Sequence, residues 1–148
     1  MPLQDTYSND LAFGYPGMVA NGETSNRITR SNEDATAIPF GRAVFRGVLD
    51  HGCTATPNAN PLGIAIATTA LAILPSGSAD AYPQYENVNI MTQGVVWVAA
   101  GESVTDGADA FVTSTGLIVD TPTGNTALPG WKFDTTGANG ALVKLAKR

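Results

Sequence analysis

The chain has 148 residues, 43% of them hydrophobic, and a formal net charge of −5. This length fits one domain with its own core, and the apolar content excludes an intrinsically disordered chain. Residues 47–131 contain seven acidic residues and no Lys or Arg. Because phosphates need cations as partners, this distribution excludes nucleic-acid binding through that part of the chain. The single cysteine, Cys53, excludes an intrachain disulfide and fits a reducing compartment.

The N-terminal sequence has no basic stretch followed by an apolar run, so we expect no signal peptide. The most apolar run, residues 62–74, is too short to span a bilayer. We therefore expect a soluble protein that is made in a cytoplasm and has no membrane partner. Basic residues gather at the C-terminus, at Lys144, Lys147 and Arg148. They form either a solvated tail or a contact for an acidic partner.

Residues 1–37 are polar and interrupted by turn-forming sequences such as Tyr15-Pro16-Gly17 and Asn21-Gly22. Such a segment buries little of its own surface, which favours an N-terminal arm or long loop. Residues 38–148 are predicted to form the folded body of a single domain.

The first strands of the body are predicted from alternation. In residues 41–50, Ala43, Phe45, Gly47 and Leu49 would share one apolar face. Residues 62–67 also alternate, with large side chains on one face and small ones on the other. Residues 68–74 are ambiguous and could form a short helical turn, and residues 75–78 end that segment.

The second half predicts shorter strands separated by glycine-containing turns. A strand pair is expected at residues 88–91 and 94–100, around a turn at residues 92–94, with residues 95–98 as a central strand. After a turn at Asp106-Gly107, further strands are predicted in residues 110–113, 116–120, 131–135 and 141–146.

These eight or nine short strands, without an amphipathic helix of three turns, predict an all-β fold. The architecture would be a β-sandwich or jelly-roll-like body, or a small barrel, with an extended N-terminal segment. Five aromatic residues fall on alternating positions and are predicted to be core residues: Trp97, Trp131, Phe45, Phe111 and Phe133.

Two clusters of residues contain groups that could carry chemistry. His51 and Cys53 could meet on one strand face as base and nucleophile, but their surroundings favour a loop, with an incidental histidine and a partly buried cysteine. Glu102, Asp106 and Asp109 lack the spacing of a calcium loop, and turn formation explains Asp-Gly. We therefore predict no catalytic, cofactor-binding or metal-binding residue, no cofactor, and no enzymatic activity.

Several segments together resemble the structural cement proteins, or capsid decoration proteins, of short-tailed phages. The similar segments are residues 17–20, 38–47, 63–65, 85–91, 94–98, 101–116 and 129–133. The resemblance spans most of residues 14–146 and rests on turn glycines and alternating valines. Residues 51–61 and 71–82 fit the pattern least well.

The resemblance implies a virion protein on the outer capsid surface that bridges neighbouring subunits of the major capsid protein. It also implies a homo-oligomer, a dimer or a trimer, and no catalytic residue. Residues 11–37 would be either a segment that reaches the capsid or a passive surface loop. Undiminished capsid binding after deletion of residues 1–30 would argue against the reaching role.

Two other classes were compared with this interpretation. Residues 94–119 have the rhythm of lipoyl or biotinyl carrier modules, but residues 47–131 contain no lysine that could be modified. A carbohydrate-binding or tail-associated β-module of a virion remains the alternative. That function requires exposed aromatic side chains on one face, whereas the aromatic residues here are predicted to point inward.

Overall fold

The computed structural model describes residues 14–68 and 80–148, which form eleven strands. In these two ranges no helix is long and apolar enough to cross a membrane. The strands are β1 (Asn26–Asn32), β2 (Ile38–Pro39), β3 (Ala43–Arg46), β4 (Gly52–Thr54), β5 (Pro61–Ala65), β6 (Ala81–Tyr82), β7 (Asn87–Ala99), β8 (Asp109–Val112), β9 (Ile118–Val119), β10 (Thr126–Phe133) and β11 (Leu142–Lys147).

Five of these strands close into a small barrel. They are hydrogen-bonded in the order β1-β4-β3-β5-β7, and β7 pairs back with β1. The β1–β4 pair is parallel and the other pairs are antiparallel. Closure leaves these strands without a free edge. The all-β prediction is confirmed, and the architecture is a small barrel with additional strands.

Four of the additional strands form a second layer that shares β7 with the barrel, and the other two, β2 and β6, pair in a separate two-stranded sheet. The order of the second layer is β7-β11-β10-β8-β9. The layer bends round until β9 meets the chain that follows β7, where the Gly101 amide donates to the Ile118 carbonyl oxygen at 2.7 Å. The predicted β8–β9 hairpin and the last strand are confirmed.

Two apolar cores lie on opposite sides of β3. Ala43 and Phe45 point into the larger core, between the barrel and the second layer, together with Trp131 and Phe133. Val44 points into the smaller barrel core. Burial of both faces explains why three consecutive residues of this strand are apolar. The larger core extends over β5, β7, β8, β9, β10 and β11.

The turn predicted at residues 92–94 is wrong, because β7 runs through it without reversing. Gln93 still pairs with Asn26 of β1, and Gly94 pairs with Lys147 of β11. Gly94 has φ +132°, a conformation that side chains other than glycine rarely adopt. The glycine therefore marks the point where one long strand passes from the barrel to the second layer.

The strand predicted in residues 41–50 is too long. It ends at Arg46, and Leu49, which was predicted to face inward, is exposed. The chain turns at residues 47–51 because these residues bond to one another and to Glu33, as described below. Two of the five predicted core aromatics, Trp97 and Phe111, are also only half-buried.

The N-terminal segment was predicted to be an arm or long loop, and this is wrong for the part that pairs with β7. Residues 26–32 form β1, in register with the first half of β7. Residues 17–20 pair with its second half, where the Gly17 amide donates to the Trp97 carbonyl oxygen at 2.7 Å. Backbone hydrogen bonds to β7 hold these residues in place. The prediction was wrong because it relied on apolar side chains, which are few in this segment. Residues 1–13, and most of the ambiguous residues 68–74, lie outside the described residues.

Candidate docking surface

An exposed apolar surface lies at the end of the barrel where β3 turns into β4. Val48 and Leu49 expose 95% and 68% of their surface, and the nearby Tyr85 exposes 77%. We call these three residues the apolar loop surface. Single exposed apolar residues are common. Here, however, Leu49 and Tyr85 line one cleft and Val48 is adjacent to Leu49 in the chain, and such a group of large exposed residues indicates an interaction site.

The turn that carries Val48 and Leu49 is fixed by the carboxylate of Glu33, the residue that directly follows β1. The two oxygens of Glu33 accept hydrogen bonds from the Val48 amide at 2.8 Å and the Leu49 amide at 2.7 Å. Gly47 and Gly52 lie on either side, and a Cβ atom at either position would collide with this carboxylate. The glycines therefore make room for Glu33, and Glu33 orders the turn.

Tyr85 is held in place by the backbone around Asn32. Tyr85 has φ +65°, a left-handed conformation that is uncommon for an aromatic residue, and its amide donates to the Asn32 carbonyl oxygen at 2.8 Å. Asn32 is fully buried, and its side-chain nitrogen donates to the Tyr82 carbonyl oxygen at 3.0 Å. A buried amide with satisfied bonds thus fixes the loop that presents Tyr85.

Between the turn and Tyr85 is a cleft of about 490 Å³. Its lining residues are Ser31, Glu33, Leu49, Asp50, His51, Gly52 and Tyr85. Two of them, Glu33 and Asp50, are acidic, and none of the described lining residues is Lys or Arg. The cleft therefore combines apolar walls with negative charge.

Sequence reasoning missed the role of Glu33 and of its neighbour Asp34. The Asp34 carboxylate accepts bonds from the Thr54 hydroxyl and the Ala55 amide, both at 2.8 Å. Glu33 thus fastens the turn before β4, and Asp34 fastens the end of β4, to the chain that follows β1. A usable signal was the presence of Gly47 and Gly52 around an apolar pair, which indicates a closely approached turn.

His51 and Cys53 do not form a catalytic pair. Cys53 is fully buried in the barrel core, and burial raises the pKa of its thiol to about 12. His51 is exposed and lines the cleft, whereas Cys53 is not among the residues that line it. A thiol that stays protonated and has no base beside it is a poor nucleophile.

Glu102, in the acidic cluster considered above, accepts hydrogen bonds from the backbone of a loop. The Glu102 carboxylate accepts bonds from the Thr121 amide at 2.9 Å and the Asp120 amide at 3.1 Å. Hydrogen bonds from Thr121 are the main cause that lowers the pKa of Glu102. Asp109 pairs with Lys132 at 2.5 Å. Within residues 14–68 and 80–148, no group of three or more His, Cys, Asp or Glu could hold a metal ion.

The C-terminal cations pack against the chain itself. Arg148 forms ion pairs with Glu23 at 2.9 Å and Asp134 at 3.3 Å, and the Lys144 ammonium lies 5.3 Å from the centre of the Trp97 ring. Exposed pairs of this kind contribute little to stability. These contacts nevertheless place Arg148 and Lys144 against groups of the same chain.

Comparison with known families identifies the chain. The family described as "Structural cement protein (E217 gp24/Pam3 gp6)" matches residues 3–147, nearly the whole sequence. The chain belongs to this family of phage structural cement proteins. The resemblance inferred from the sequence is therefore confirmed.

Two chains of solved phage structures are similar to this chain. A chain from "The capsid of Myoviridae Phage XM1" superimposes with a TM-score of 0.75 at 13% identity, covering 99% of this chain and 97% of that one. At this identity the likeness shows the fold alone. A second chain, from "The crystal structure of head fiber gp8.5 N base in bacteriophage phi29", reaches a TM-score of 0.48 at 16% identity, covering 84% and 95%. No curated protein sequence matches significantly.

Membership of the family assigns the general role. This cement protein is a structural protein of the phage virion with a capsid cement, or decoration, function, and it associates with capsid proteins. The family is one of structural proteins. A surface that binds other proteins is therefore the functional site to be sought.

Proposed function

We propose that this cement protein binds the outer surface of a phage capsid and stabilises it by bridging neighbouring subunits of the major capsid protein. The family match over residues 3–147 is the observation that carries this proposal. The apolar loop surface supports it, because it offers ordered apolar side chains to a partner.

Bridging requires that the protein contact more than one capsid subunit. A homo-oligomer, either a dimer or a trimer, would place the same surface on several subunits at once. Linked contacts then gain by effective concentration, so each contact can be small. A total buried area of about 1,600 Å² per contact would be ordinary.

The protein would act without catalysis, cofactor or metal. In support, its cysteine is buried with a raised pKa, and the carboxylates of Glu33, Asp34 and Glu102 are engaged by backbone amides. Stabilisation would come from surface buried against the capsid.

Residues 11–37 were predicted to reach the capsid, but residues 17–20 and 26–32 within them pair with β7. The reaching role would therefore fall to the residues that precede these pairings. Deletion of residues 1–30 would remove most of β1 and would test folding instead of docking. Deletion of residues 1–13 leaves every described strand intact. We expect weaker capsid binding from this shorter deletion, and unchanged binding would contradict the reaching role.

The proposed function is tested with phage capsids that lack the protein. Capsids from a deletion phage should lose packaged DNA at a lower temperature than wild-type capsids, and added purified protein should restore their stability. Mass spectrometry of wild-type virions should find the protein in numbers comparable to the major capsid protein. Absence from virions, or no stabilisation on addition, would refute the proposal.

A carbohydrate-binding or tail-associated module of the virion remains the second candidate. The exposed aromatic side chains among the described residues are Tyr15 and Tyr85. They line different clefts, so they do not form one stacking platform. Clear hits on a glycan array, together with no binding to capsids, would favour this candidate over capsid cement.

A further inference from the structure

We propose that the apolar loop surface is the capsid-docking element, and that its cleft receives a segment of the major capsid protein in which an apolar side chain lies beside a Lys or Arg. This inference rests on the proposed function, because it names the surface and the partner chemistry through which capsid binding occurs.

The first argument is that the fold does not require these apolar side chains. Val48 and Leu49 point into solvent, so polar residues would serve a simple turn equally well. The backbone around them is nevertheless ordered by both oxygens of Glu33 and by close packing at two glycines. An ordered turn pays little conformational entropy on binding, which is what a docking element requires.

The second argument is the character of the cleft wall opposite the turn. Tyr85 exposes its ring while its backbone is bonded to Asn32, so the ring is presented from a fixed loop. Tyrosine is among the residues that carry most of the energy at protein interfaces. Leu49 and Tyr85 line the same cleft, which is suited to an inserted apolar side chain.

The third argument is charge. Glu33 and Asp50 give the cleft a negative potential, and no Lys or Arg is among the described residues that line it. The oxygens of Glu33 are already engaged by Val48 and Leu49, whereas Asp50 is exposed at the rim. A partner that buries an apolar side chain here gains further if it places a cation beside Asp50.

The contribution of this surface must be concentrated in a few residues. Three exposed side chains cover less than the roughly 800 Å² per partner of a standard interface. They would therefore form the hot spot of a larger contact, in which truncation of one residue has a large effect.

Variants at the surface test the inference by titration onto capsids that lack the protein. Leu49→Ser and Tyr85→Asn remove the apolar side chains, and asparagine tolerates the left-handed backbone at position 85. Each should weaken binding by about 10-fold or more. Asp50→Lys should also weaken binding by about 10-fold and reduce its dependence on salt.

Leu117→Ser is the matched control, because Leu117 is an exposed leucine on the β8–β9 hairpin of the second layer. It should bind capsids within about 2-fold of the wild type. Thermal unfolding of each variant checks the fold. If Leu49→Ser lowers the melting temperature, Val48→Ser replaces it, since Val48 is almost fully exposed.

The outcomes separate the inference from the proposed function. If the wild type does not bind capsids, capsid cementing itself fails. If the wild type binds and the folded Leu49 and Tyr85 variants bind equally well, the docking surface is wrong. If the variants bind capsids but lose self-association in sedimentation, the surface joins two copies of this chain, and the inference is overturned. Equal loss by Leu117→Ser would also overturn it.

Discussion

Residues 43–49 contain two apolar groups, one buried and one exposed. Ala43, Val44 and Phe45 are at most 2% exposed, whereas Val48 and Leu49 are among the most exposed large hydrophobic residues described. The difference lies in hydrogen bonding rather than in side-chain chemistry. Strand pairing holds residues 43–45 between two cores, and the Glu33 carboxylate turns the chain outward a few residues later.

The largest expected change in the free energy of unfolding comes from the buried region, residues 43–45. Phe45→Ala should lower the free energy of unfolding by about 3–5 kcal/mol, because it leaves a cavity in the larger core. Denaturant unfolding measures this change. Leu49→Ala is the control and should change stability by about 0.5 kcal/mol or less. Similar losses in both variants would mean that Leu49 packs as a core residue.

A smaller change in the free energy of unfolding is expected from Glu33, whose carboxylate turns the chain between the two regions. Glu33→Gln keeps the shape of the side chain but removes a charged acceptor from two backbone amides. We expect a loss of about 1–3 kcal/mol in unfolding free energy and faster hydrogen exchange at Val48 and Leu49. Glu86→Gln is the matched control, because Glu86 accepts a bond from its own neighbour Asn87. Unchanged exchange in Glu33→Gln would show that the glycines alone define the turn.

The smallest change in the free energy of unfolding is expected at Glu102, which, like Glu33, accepts hydrogen bonds from two backbone amides. Its pKa is lowered in the folded state, mainly by hydrogen bonds from Thr121. The stabilisation is therefore complete above the unfolded-state pKa and is lost as the pH falls through the lower, folded-state pKa. Since this carboxyl is largely solvated, the change should be no more than about 0.5 kcal/mol. Urea unfolding of Glu102→Gln across that acid range should show a shallower loss of stability than the wild type.

Much of the fold could be predicted from local patterns. Alternation placed Trp131 and Phe133 in the core correctly, and Gly116 and Gly140 mark turns that the structure contains. These features depend on side chains that face one core or on residues that permit a left-handed backbone. Both kinds of signal are local in the sequence.

The errors arose where distant backbone pairing decides the outcome. β1 is polar and pairs with β7 about sixty residues further along the chain, so its own composition did not predict a strand. The turn at residues 47–51 depends on Glu33, which is far from it in sequence. The docking surface was missed for the same reason, since alternation alone directs Leu49 inward.

The length of β7 has a consequence for the order in which the chain can fold. Its first half pairs with residues 26–31 and its second half with residues 142–147, so the strand is completed by partners from opposite ends of the described chain. Pairing across such sequence separations slows folding. During synthesis, the second half of β7 waits for β11 to leave the ribosome. The barrel can therefore begin to assemble on the nascent chain before the second layer closes on β11.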